Sequence, residues 1–270
     1  MTVPFWKMHG AGNDFILVDD RSETFPLQDA AWLRRIAMRR LGVGCEGIIL
    51  IQPSARADLR MRFMNPDGNE VEMCGNGARC LARLAHEIGI AGPSMSIETR
   101  AGVLRAECLE GAVRLEMGSP RDWALNGRLS AAGRDLVYHA VNTGVPHVVV
   151  EVQDLQGYDV TGVGSAIRRH PQFEPAGTNA NFVRVTGPRS LRVRTYERGV
   201  EEETLACGTG IVAAATVAFR LDRVGRPVTV TAESGDTLTV DLTPARDGVR
   251  DVSLTGPAEH VFRGTLSYGE

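Results

Sequence analysis

The chain has 270 residues, 43% of them hydrophobic and 23% charged, with a formal net charge of −3. That length can bury a substantial core, and the near-balance of charge offers no broad basic surface for nucleic acid. The longest apolar run, near Ile211 to Ala218, is too short to span a bilayer, and Met1 to Gly10 lacks the charged-then-apolar order of a signal peptide. No nucleic-acid partner, no membrane and a cytoplasmic location are therefore expected.

Cysteine and lysine usage narrow the chemistry. Five cysteines (Cys45, Cys74, Cys80, Cys108 and Cys207) make an odd number, which favours reduced thiols over a disulfide framework. No Cys-x-x-Cys pair occurs and the histidines are scattered, so no metal is expected. Lys7 is the only lysine among 30 basic residues. A pyridoxal-phosphate enzyme needs a lysine for its Schiff base, and Lys7 would have to serve alone, so no cofactor is expected.

In chain order, Phe5 to Met8 and Phe15 to Asp19 read as short strands around the turn His9-Gly10-Ala11-Gly12-Asn13-Asp14. Ala30 to Arg40 has helical spacing, and Gly47 to Ile51 and Leu59 to Met64 read as strands. Asn65-Pro66-Asp67-Gly68 fits a type I turn. Cys74-Gly75-Asn76-Gly77 opens a helix with Ala78, Leu81, Ala82, Ala85 and Ile88 on one face, and Gly89 marks its stop. Strands are predicted at Ser96 to Thr99, Val103 to Leu109 and Val113 to Met117. Ser119 to Gly133, rich in Pro, Asn, Ser and Gly, reads as an interdomain linker.

Beyond it the grammar repeats. Leu136 to Asn142 and Val148 to Val152 are predicted strands, and Leu191 to Tyr196 precedes a charged loop in which Glu201, Glu202 and Glu203 read as solvated charge. Cys207-Gly208-Thr209-Gly210 then opens an apolar helix to Leu221. Strands recur at Val228 to Thr231, Thr237 to Leu242 and Val249 to Leu254. Gly111 to Pro120 resembles Gly248 to Pro257, and Asn65 precedes Cys74 much as Glu197 precedes Cys207. The expected fold is α/β (α+β), with two pseudo-symmetric halves, 1–119 and 120–261, and residues 262–270 returning to the first. Each half is a strand-rich mixed sheet wrapped around a central helix, with the active site in the cleft between them.

A thiol at a helix start sits where free N–H groups and the helix dipole stabilise a thiolate. Two such thiols suit a two-base inversion, in which one removes an α-proton and the other returns one. The N–H groups of Gly75-Asn76 and Gly208-Thr209 could clamp a carboxylate and the charge that develops there. Two facing thiolates would repel, so the pair should hold one proton and titrate as a unit. His147 and Glu197 are candidates to tune those thiols. Cys45, Cys80 and Cys108 read as inert packing.

These residues closely resemble the diaminopimelate epimerase family over essentially the whole chain. The matching segments are His9-Gly10-Ala11-Gly12-Asn13-Asp14-Phe15, Asn65-Pro66-Asp67-Gly68, Cys74-Gly75-Asn76-Gly77-Ala78-Arg79, Pro146-His147, Gly177-Thr178-Asn179, Tyr196-Glu197-Arg198-Gly199 and Glu203 to Gly210. The resemblance implies interconversion of LL- and meso-diaminopimelate by Cys74 and Cys207, for lysine and cell-wall precursor synthesis. It implies that Gly75, Asn76, Gly208 and Thr209 hold the reacting carboxylate. Asn13, Asn65, Asn179, Glu197 and Arg198 would surround the distal end, where the arginine fork can pair a carboxylate at two points. It also implies a homodimer. Gly47 and Val145 depart from residues common in the family, glutamine and asparagine respectively, so those two contacts are not carried over. The rival is a proline racemase or hydroxyproline epimerase, which commonly has His after the first Cys-Gly and Ser-Pro before the second Cys. Asn76 and Leu205-Ala206 stand there instead.

Overall fold

A computed structural model describes residues 1–269. The chain divides into two compact units, Met1–Leu115 with the segment from Gly256 onward, and Glu116–Thr255. The divisions fall a few residues ahead of the expected ones, after 119 and after 261.

In the first unit, Thr2–Gly10 pairs antiparallel with both Asn13–Asp19 and the C-terminal strand Glu259–Ser267. Asn13–Asp19 runs parallel to Gly47–Gln52, which pairs antiparallel with Leu59–Met64. Leu59–Met64 takes Glu70–Val71 antiparallel and Ser94–Thr99 parallel, and Gly102–Leu109 and Ala112–Glu116 follow antiparallel. Gly47–Gln52 is buried at every position because helices cover both faces of the sheet. Ile16, Val18, Ile48 and Leu50 pack with Leu33 and Ile36 of α1 (Ala30–Ala37). One residue out of phase, Phe15 and Ile49 lie against Gly77 of α2 (Gly75–Glu87). A Cβ at Gly77 would stand 2.6 Å from Ile49 Cδ1, so this glycine sets how closely α2 approaches the sheet. The turn at Asn65 closes as expected, with the Gly68 N–H donating to the Asn65 carbonyl at 2.9 Å.

The second unit uses the same order. Arg134–Asn142 pairs antiparallel with Arg121–Ala131 and with Pro146–Glu151, which runs parallel to Asn179–Gly187. Asn179–Gly187 pairs antiparallel with Ser190–Glu197, which takes Glu202–Thr204 antiparallel and Val228–Thr231 parallel. Thr237–Ala245 and Gly248–Gly256 complete it antiparallel. Val148, Val150, Ala180 and Phe182 pack with Val163 and Ile167 of α3 (Val160–Arg168), and α4 (Gly208–Arg220) is buried from Gly210 through Ala218. The architecture is thus mixed α/β, with two like halves each built on a sheet around one buried helix.

Three expectations need correction. Ser119–Gly133 is no linker: Arg121–Ala131 is a strand whose odd-numbered residues from Trp123 to Ala131 turn inward, closed by Ala132-Gly133 at φ 51° and 69°. Those two positive φ values suit a two-residue primed hairpin turn. Glu201 and Glu203 are not idle charge, because Glu201 pairs Arg168 and Arg169 at 3.0 and 3.1 Å and Glu203 pairs Arg194 at 2.7 Å. The helix expected over Ala30 to Arg40 ends at Ala37, its cap residue Met38 being extended.

Candidate active site

Each unit presents one cysteine at the same structural position. Cys74 is the N-cap of α2 and Cys207 the N-cap of α4; both have extended backbones, and neither side chain caps its helix. A thiol is a poor substitute for the Ser, Thr, Asp or Asn that helix starts prefer, so helix stability alone does not account for it. What the position supplies is the positive end of a thirteen-residue helix beside the sulfur.

Around Cys74, the first unit gathers Asn13 and Asn76. Cys74 Sγ lies 3.6 Å from Asn13 Oδ1, and Asn76 Nδ2 donates to the same oxygen at 3.4 Å. Asn76 is buried, and its own Oδ1 accepts from Arg79 at 2.9 Å. Gly10 passes directly against this turn; a Cβ there would stand 2.8 Å from the Asn76 carbonyl oxygen. Gly75 has open space where its Cβ would be. Asn65 is placed by its turn at the end of Leu59–Met64. Glu46, which the sequence reading passed over, accepts a hydrogen bond from Asn13 Nδ2. Burial pushes the Glu46 carboxyl above the usual range, against the opposing effect of that bond.

Around Cys207, the second unit gathers Thr209, Thr143 and a buried His147–Asn181 pair. Thr209 Oγ1 lies 3.6 Å from Cys207 Sγ, and Thr143 Oγ1 donates to the Thr209 carbonyl at 2.9 Å. Gly208 opens α4, and Gly210 leaves room for Asn181, whose Oδ1 a Cβ there would meet at 2.3 Å. Asn181 Nδ2 donates to the Val148 carbonyl at 2.8 Å and lies 3.1 Å from His147 Nδ1, while its Oδ1 accepts from Thr195 at 3.0 Å. A carbonyl only accepts, so Asn181 turns its NH2 to this side and His147 Nδ1 is an acceptor. The imidazole proton is therefore on Nε2. That Nε2 is buried with no hydrogen-bond partner among the described residues. Burial, with the Arg198 cation adding to it, pushes the His147 pKa down to about 3, so the ring is neutral at physiological pH.

Asn179, Glu197 and Arg198 form a second group. Asn179 lies opposite His147 in the parallel pair; its Nδ2 donates to the Pro146 carbonyl at 2.9 Å and its Oδ1 accepts from the Arg198 N–H at 2.8 Å. Arg198 Nη1 donates to the Ala176 carbonyl at 2.9 Å, and Glu197 accepts from Thr204 at 3.0 Å.

The other cysteines differ. Burial pushes the thiols of Cys45 and Cys80 up to about 11 and about 12, and that of Cys108 up as well, which leaves them poor nucleophiles. At Gly47 a Cβ would stand 2.1 Å from the Phe63 ring, so Phe63 fills the space a longer side chain would need. No group of three or more His, Cys, Asp or Glu among the described residues is placed to hold a metal, and no described helix is long and apolar enough to cross a membrane.

This architecture, two like halves each built on a sheet around a buried helix, is a fold shared with solved racemases, epimerases and phenazine biosynthesis proteins. A hydroxyproline epimerase from Agrobacterium vitis superposes with a TM-score of 0.69 at 19% identity, covering 98% of this chain and 92% of that one. A phenazine biosynthesis protein of the PhzF family from Bacillus anthracis gives 0.72 at 18%, covering 99% and 100%. Sequence narrows the class: the family model described as diaminopimelate epimerase matches residues 5–123 and 139–261. Diaminopimelate epimerases from Aquifex aeolicus and Chlorobaculum tepidum are 41% and 43% identical, each match covering at least 96% of both chains. The chain belongs to the diaminopimelate epimerase family, and it is an isomerase of the epimerase type.

Proposed function

We propose that this enzyme interconverts LL- and meso-diaminopimelate without a cofactor, Cys74 and Cys207 serving as the base and the acid. The observation that carries the reading is the pair of cysteine N-caps, each opening a thirteen-residue buried helix in a chain of this family. The thiolate of one takes the α-proton, and the electron pair spreads into the carboxylate. The N–H groups of Gly75, Asn76, Gly208 and Thr209 stabilise that charge. The thiol of the other returns a proton to the opposite face, and thiol and thiolate have exchanged. His147 acts as a neutral donor through Nε2–H, and Glu197 supplies negative charge that tunes the thiols. Asn13, Asn65, Asn179, Glu197 and Arg198 read the distal amino-carboxylate end, which ordinary amino acids lack. Lys7 pairs Asp14 at 2.5 Å in a buried site and is committed to that contact. The product would feed lysine and peptidoglycan precursor synthesis.

Reduced protein with nothing added should epimerise LL-diaminopimelate in deuterated water and place deuterium at the inverted carbon, while leaving L-proline untouched. Mass spectrometry showing no exchange in either direction would overturn the assignment.

A further inference from the structure

Glu201 keeps a left-handed backbone, at φ +63°, that glycine adopts freely and other residues resist. A charged residue held there marks a side chain whose contacts outweigh the strain. Its carboxylate takes four donors, two on each oxygen. Oε1 accepts from Arg168 Nε at 3.0 Å and from the Gly199 N–H at 3.1 Å. Oε2 accepts from Arg169 Nη2 at 3.1 Å and from the Tyr196 hydroxyl at 3.3 Å. Arg168 ends α3 and Arg169 caps it, so the carboxylate is anchored to a packed helix and not to its own loop alone.

The Glu201 N–H donates to the Glu197 carbonyl at 2.8 Å, closing a turn that contains Arg198. The direction of a side chain follows from the two rigid peptide planes that flank its Cα. At Arg198 the plane before it is held by Asn179 Oδ1, which accepts from the Arg198 N–H at 2.8 Å. The plane after it carries the Gly199 N–H, which Glu201 holds. Gly199, at φ +93°, puts little steric limit of its own on that plane. Asn179 therefore fixes one plane and Glu201 the other. Arg168 reaches the Asn179 side as well: a Cβ at Gly177, two residues before Asn179, would run into its guanidinium. One arginine at the end of α3 thus braces both segments that meet at Arg198.

We propose that Glu201, braced by Arg168, is the positioning residue for Arg198 and thereby sets the affinity for the distal carboxylate of the substrate. The inference rests on the distal-end role given to Arg198 above.

Backbone 15N relaxation on deuterated, substrate-free protein tests the positioning without turnover. Glu201→Asn tolerates the left-handed backbone but leaves the acceptor one carbon short of the Gly199 N–H. The Arg198 and Gly199 order parameters should drop from about 0.85 in wild type to below about 0.6. Arg168→Met, which leaves the turn's own sequence intact, should move them in the same direction. Steady-state kinetics test the consequence. Glu201→Asn should raise KM for LL-diaminopimelate by about tenfold, the size of one lost hydrogen bond to a charged group. Its kcat should stay within about threefold of wild type, because binding is lost equally in the ground and transition states. Rigid Arg198 and Gly199 amides in Glu201→Asn overturn the proposal. So does an unchanged KM in that variant where Arg198→Met raises it, or a loss confined to kcat. An unchanged KM in Arg198→Met itself counts against the distal-end reading, and the order parameters then still decide the role of Glu201.

Discussion

His147 shows how burial decides what a side chain can do. Fully enclosed and held through Nδ1 by Asn181, it is neutral at physiological pH and can offer only an Nε2–H, not a cation. The same burial has a stability consequence. The folded pKa, about 3, lies below the ordinary value of 6.5, so the unfolded chain binds the extra proton between those limits. Stability from this group is complete above pH 6.5 and is lost as pH falls toward 3. At pH 5 the loss is about 2 kcal/mol relative to pH 7.5. His147→Asn, which keeps an acceptor near the Nδ1 position and does not titrate, should show a denaturant midpoint that falls correspondingly less between those pH values. An undiminished fall would mean that other groups carry the pH dependence. The cysteines were legible because Cys-Gly-x-Gly occurs twice before apolar helices. Glu46 and Asn181 were not, because each meets its partner, Asn13 or His147, only through a tertiary contact between separate strands and loops. An acid in a Gly-rich loop and an asparagine in an Asn-Ala-Asn step carry no local mark of that role.

The helices that position the thiols also end alike. In α2, Gly89 is left-handed at φ +73°, and the Ile90 N–H donates to the Ala85 carbonyl at 2.8 Å. In α4, Asp222 occupies that position at φ +56°, and the Arg223 N–H donates to the Ala218 carbonyl at 2.9 Å. Both are the six-to-one closure of a Schellman end, but only the first uses the residue that adopts this conformation without strain. Asp222→Gly should therefore stabilise the protein by about 0.5–1 kcal/mol, read as a higher denaturant midpoint with an unchanged slope. A lower midpoint would show that the aspartate side chain contributes more than the strain costs. The misread segment at Ser119 to Gly133 follows the same logic in reverse. Its glycines, Asn126 and Pro120 suggested a linker, yet Gly127 is there because a Cβ would stand 2.5 Å from the Tyr138 ring. The inward alternation of Trp123, Leu125, Leu129 and Ala131 was the signal to follow. Helix α3 was passed over because Gly162, Gly164, Thr161 and the valines are weak helix formers. Its Asp159 cap and the buried set Val160, Val163, Gly164 and Ile167 were nevertheless present in the sequence.

Across the chain, the two units use one order of strands and helices: a hairpin, a parallel step, a turn carrying Asn65 in one and Glu197 and Arg198 in the other, then a cysteine-capped buried helix. Internal repetition was readable from paired motifs because residues that start helices and close turns are dictated locally. The return of residues 262–270 to the first half was expected, but the strand partner was not: Glu259–Ser267 pairs with Thr2–Gly10, and nothing in either segment alone names the other. Within this repeated frame the proposed chemistry falls on one cysteine per unit, and it can be checked against a thiol that shares the fold but not the helix start. Cys74→Ala and Cys207→Ala should each lower diaminopimelate epimerisation by about a hundredfold or more, the usual loss on removing a general acid or base, while Cys108→Ala stays near wild type. Near wild-type turnover in either Cys74→Ala or Cys207→Ala would contradict a mechanism in which both sulfurs carry the proton.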